Sequence, residues 1–143
     1  MDFFEKYYKD EKTLKQLVDD YNEPFDRVYY YSQLLINKAI STPDEMKEAI
    51  LELGGIYASI NAVSMSLEAE RRNKELMLAE RKRVDKTQKM DTCTTYENDI
   101  RYIGYFRKMG NIFSERCESC SKIISVLQTC LRGIEKEKNT PYD

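Results

Sequence analysis

At 143 residues and 16.9 kDa the chain has the size of one domain, or of a subunit that completes its core by assembling. Charged residues make up 34% against 41% hydrophobic, with 5 Gly, 3 Pro, no Trp and no His, a composition typical of helical proteins. The absence of histidine removes the usual general base, the usual partner of a nucleophile and the commonest metal ligand, which weighs against most enzyme classes.

The formal net charge of -2 hides an asymmetry: residues 1–67 sum to -5 and residues 68–143 to +3, so the second half is the side suited to a polyanion. No apolar run reaches the ~18 to 20 residues of a bilayer span, and Met1-Asp2-Phe3-Phe4-Glu5 lacks the basic start and apolar core of a signal peptide. Four cysteines (Cys93, Cys117, Cys120, Cys130) without such a leader point to reduced thiols and a cytoplasmic protein, with no membrane partner expected.

In chain order, Phe4, Tyr7, Tyr8, Leu14, Leu17, Val18 and Tyr21 recur at steps near three and four, predicting an amphipathic helix over about 3–21 with an interruption around 9–12. Pro24 breaks the pattern and opens a second helix over about 24–40, facing inward with Val28, Tyr31 or Ser32, Leu35 and Ala39. Thr42-Pro43-Asp44-Glu45 is a helix start: Thr42 caps, Pro43 takes the first position, and the two acids meet the positive end of the dipole. The helix it opens covers about 43–67 and extends toward 90. Met46, Ile50, Leu53, Tyr57, Ile60, Ser64 and Leu67 give it the 3.5-residue period of a coiled-coil seam.

From Glu68 to Lys89 the seam fades into eight basic and five acidic residues, a stretch that reads equally as a solvated helix or as a connector. Thr94 and Glu97 are spaced as a capping box for a last helix over about 95–138. Its stripe Ile103, Phe106, Gly110, Phe113, Cys117, Cys120, Ile124, Leu127, Leu131, Ile134 spans 31 residues, about 47 Å of helix. The expected fold is therefore all-α, a single helical domain over 1–143 built as a long-helix hairpin or bundle. Such long seams are covered by antiparallel packing, by further copies of the chain, or by both, so a homo-oligomer is expected.

Candidate chemistry is sparse. Cys117-x-x-Cys120 invites zinc or redox readings, but no second cysteine pair completes a tetrahedral set, and both residues fall on the apolar stripe, where cysteine packs as a small hydrophobe. No carboxylate pair stands apart as an acid and base, and the five glycines form no phosphate loop. No catalytic residue, metal ligand or cofactor is therefore assigned, and the chain is not read as an enzyme. Arg71, Arg72, Lys74, Arg81, Lys82, Arg83, Lys86 and Lys89 are the candidate DNA-binding residues, with Tyr96, Tyr102 and Tyr105 nearby for base stacking. The competing reading of the same stretch is a solvated face laced with pairs such as Glu70 and Lys74.

Asp85-Lys86, Asp91-Thr92 and Tyr96, followed by Ile112-Phe113-Ser114-Glu115-Arg116 and Ile123-Ile124, resemble the C-terminal half of the small recombination mediators of T-even-like phages, the UvsY family. Length and helical order are similar too, and the family's basic motif corresponds loosely to Glu70-Arg71-Arg72-Asn73-Lys74. The resemblance implies a ring-forming phage protein that binds single-stranded DNA, contacts the recombinase and the single-strand binding protein, and helps load one in place of the other. The alternative is a phage-type structural or assembly adaptor with no nucleic-acid role.

Overall fold

The computed structural model describes residues 3–87 and 96–138, and every regular element among them is helical. A single 3-10 turn, Glu5–Tyr7, precedes α1 (Glu11–Asp20), α2 (Asn22–Ile36), α3 (Pro43–Thr87) and α4 (Glu97–Lys138). The expected first helix, 3–21, is thus divided. The Asp10 carboxylate accepts from the Thr13 backbone N–H at 2.8 Å while the Thr13 hydroxyl lies 3.1 Å from the Asp10 N–H, a reciprocal cap that starts α1 afresh at Glu11.

The second helix was expected to reach Ile40 and stops at Ile36. Lys38 takes φ 55°, and the Lys38 and Ala39 N–H groups return to the Leu35 and Leu34 carbonyls at 3.1 and 2.8 Å, which closes the helix end in a Schellman turn. Thr42 caps α3, its hydroxyl accepting from the Glu45 N–H at 3.2 Å. The 68–87 stretch continues α3 as helix, while Lys89, Cys93, Thr94 and the tail after 138 lie outside the described residues.

The chain divides into two compact units. One joins residues 1–20 to 62–114, so α1 packs on the second part of α3 and the first part of α4. Here α3 and α4 run antiparallel, as Arg81 with Asp99 and Glu75 with Arg107 show, and α1 runs along α4, matching Glu11 to Arg101 and Lys15 to Tyr105. Its core is Leu14, Leu17, Val63, Leu67, Ile103, Phe106, Met109 and Phe113.

The other unit joins residues 21–61 to 115–143, so α2 packs on the first part of α3 and the second part of α4. Phe25, Val28, Tyr31, Met46, Ala49, Leu53, Ile60, Cys117, Cys120, Ile123 and Leu127 fill it. Antiparallel pairing of α3 and α4 recurs here: the Cys120 thiol donates to the Leu53 carbonyl at 3.3 Å, and Lys47 lies 4.0 Å from Glu135.

Several seam positions are one residue away from the expectation. Ala49, Val63, Met109 and Ile123 are buried where Ile50, Ser64, Gly110 and Ile124 were expected, and Tyr57 is exposed. A helix covered from two sides buries an arc of its surface, and a pattern read as one line picks only one edge of that arc. α3 contains an 18-residue window of mean hydropathy 1.3, long and apolar enough by composition to cross a bilayer. Glycine, alanine, serine and asparagine break it up when contiguous apolar residues are counted.

Candidate nucleic-acid interface

Seven of the eight candidate cations, Arg71, Arg72, Lys74, Arg81, Lys82, Arg83 and Lys86, stand on α3 in the first unit. They do not form one basic face, because a charged helix turns 100° per residue and this one carries acids between its bases. Arg71 pairs with Glu75 at 2.9 Å, Arg72 with Glu68 at 2.8 Å and Lys74 with Glu70 at 3.5 Å, all one turn apart. Arg83 pairs with Glu80 at 2.5 Å, a contact that raises the guanidinium pKa and lowers that of the carboxyl. Arg81 reaches across to Asp99 of α4 at 2.6 Å.

Five of the candidate cations thus carry an acid of their own, which shrinks the field available to a phosphate. Lys82 and Lys86 make no ion pair among the described residues, and both are exposed. Exposed pairs are worth little and exchange partners readily, so the pairing weakens an anion site without abolishing it.

The tyrosines are arranged around the same cations. Arg81 and Lys82 lie 5.0 and 5.3 Å from the centre of the Tyr96 ring, whose hydroxyl donates to Asp85 at 2.5 Å. Lys74 stands 5.1 Å from the Tyr102 ring and Lys15 of α1 stands 5.3 Å from Tyr105. Cation contacts of this kind are favourable and already occupy ring surface that a stacked base would use. The Tyr102 hydroxyl is buried without a hydrogen-bond partner among the described residues, and burial, helped by Asp10, Glu70 and Glu11, pushes its pKa up to about 12. Lys15 escaped the sequence reading because it lies 90 positions before Tyr105, and no local spacing links the two.

An open groove of about 780 Å³ lies in the same unit, between the start of α1 and the start of α4. Its charges are Lys9, Lys12, Lys15 and Arg101 against Asp10, Glu11, Asp19 and Asp99, so the groove is balanced and offers no electrostatic funnel. No cluster among the described residues has the make-up of a metal site. Comparison with protein-family models, with curated proteins and with solved structures finds no match to this chain.

Proposed function

We propose that the chain is a non-catalytic helical protein that binds single-stranded DNA, in the manner of the phage recombination mediators it resembles. The observation that carries this reading is the end of α3, where Arg81, Lys82, Arg83 and Lys86 stand exposed within six residues beside Tyr96. Glu80 and Asp85 are the acids of that last stretch, so the helix end keeps a local excess of two positive charges. Phosphates would exchange with the carboxylates now holding Arg81 and Arg83, and Lys82 and Lys86 would bind them directly. One such patch is weak. Several copies sharing one strand multiply it by effective concentration, and displacement of a single-strand binding protein in favour of a recombinase would follow from the same lattice.

The test is anisotropy of a labelled oligo-dT titrated with the full chain from low to high salt. Affinity should fall steeply with salt. Lys82→Glu with Lys86→Glu, which disturbs no ion pair among the described residues, should flatten the logarithmic salt slope by about 1.4 if each lysine meets one phosphate. A second reading, an assembly or structural adaptor with no nucleic-acid role, is favoured by the acids already bound to Arg71, Arg72, Lys74, Arg81 and Arg83. It replaces the first if the parent protein binds no oligonucleotide at low salt.

A further inference from the structure

We propose that a groove between α3 and α4 in the first unit is a binding site for a phosphate group, built from Arg71 and Arg107 with Asn111, Ser64 and Ser114. The site lies apart from the basic end of α3. It would hold the phosphate of a strand or a free one by the same contacts, so it does not depend on the DNA reading. Ser64, Glu68, Arg71 and Glu75 follow one another along α3 at steps of four and three, and so do Arg107, Asn111 and Ser114 along α4, which places each set on one face of its helix. The antiparallel pairing of Glu75 with Arg107 turns the two lines toward one another. Between them lies a groove of about 370 Å³, lined also by Phe106 and Gly110. Gly110 brings no side chain into it, and a Cβ there would stand 4.0 Å from the Leu67 Cβ, so the two helices come close at that level while the groove stays open.

Charge and donor count choose the ligand. One carboxylate oxygen, Glu75 Oε1, accepts from Arg71 Nη1 at 2.9 Å and from Arg107 Nη2 at 3.1 Å. Glu68 is held by Arg72 at 2.8 Å and lies 4.0 Å from Arg71. Three guanidinium groups thus share two carboxylates, which leaves an excess of one positive charge. Arg71 and Arg107 are each hydrogen-bonded to Glu75 alone among the described residues, so most N–H donors of both remain available. The side chains of Asn111, Ser64 and Ser114 make no hydrogen bond among the described residues. An amine or a metal ion would be repelled by two guanidinium groups, and a carboxylate has two oxygens where this groove offers more donors. A singly charged phosphate matches both the excess charge and the spread of donors, with the arginine forks taking its oxygens in pairs. Arg71 is 23% exposed, so its attraction is less screened than that of the bases at the helix end. Lys82 stands three turns further along the same face of α3, roughly 16 Å along the axis, so a strand held at the helix end can reach the groove.

Isothermal titration of the full chain with inorganic phosphate, at low ionic strength and against a chloride control, should show one site per chain. Arg107→Glu and, separately, Ser114→Asp change exposed positions, so each should keep the helicity of the parent while raising the dissociation constant for phosphate about tenfold or more. Arg107→Lys, which keeps the charge and loses the fork, should lose less. Lys82→Glu with Lys86→Glu should leave the phosphate site unchanged whatever it does to oligo-dT binding, which separates this groove from the helix end. Oligo-dT that displaces phosphate identifies a strand as the source of the group, and phosphate binding untouched by oligo-dT identifies the free anion; the groove is the site in both cases. No binding of phosphate at low ionic strength, or binding that survives both Arg107→Glu and Ser114→Asp, would overturn the proposal and leave the DNA reading to its own test with oligo-dT.

Discussion

The Cys120 side chain is fully buried, and burial, with Cys117 beside it, pushes its thiol up to about 11 despite an opposing hydrogen bond from the Tyr57 backbone. Cys117 is raised by burial as well, whereas Cys130 is exposed. A buried neutral thiol is a poor nucleophile, so peptide mapping after iodoacetamide treatment of the folded protein at pH 8 should find Cys130 modified and Cys117 and Cys120 protected until denaturant is added. A thiol pKa higher in the folded state than its ordinary 9.0 contributes stability that is complete below pH 9 and is lost as pH rises toward 11. Denaturation midpoints should decline over that window, and a Cys120→Ala protein should show less of the decline. The packing role of Cys117 and Cys120 was legible because both fall on the apolar stripe. The ion pairs of Arg81 and Arg107 were not, since each acid partner comes from a different helix.

At the level of elements, the ends of helices carry local chemistry that spacing alone does not reveal. Lys38 occupies the left-handed region because the Schellman turn needs it there, a conformation in which any side chain but glycine costs about 1 kcal/mol or more. Lys38→Gly should therefore raise the stability by about 1 kcal/mol, read as a higher urea midpoint at unchanged slope. The start of α3 was readable from Thr42-Pro43-Asp44-Glu45, since a cap acts within one turn. The Asp10–Thr13 cap escaped notice because the apolar pattern runs across it, and the end of α2 escaped because lysine does not announce a positive φ.

For the whole molecule, stability rests on the facing stripes of α3 and α4, to which α1 and α2 add a third side in their respective units. Phe113 is fully buried, and its replacement by Ala should cost about 3 to 5 kcal/mol, a large part of the stability of a small domain, with a matching loss in denaturant midpoint. What the sequence by itself determined is the all-helical class and the two long helices, because these follow from a period and from caps that act over one turn. Tertiary structure alone decided which edge of each stripe is buried and which acids neutralise the bases of α3. Burial and ion pairing depend on residues brought together from distant parts of the chain, and no local spacing encodes them.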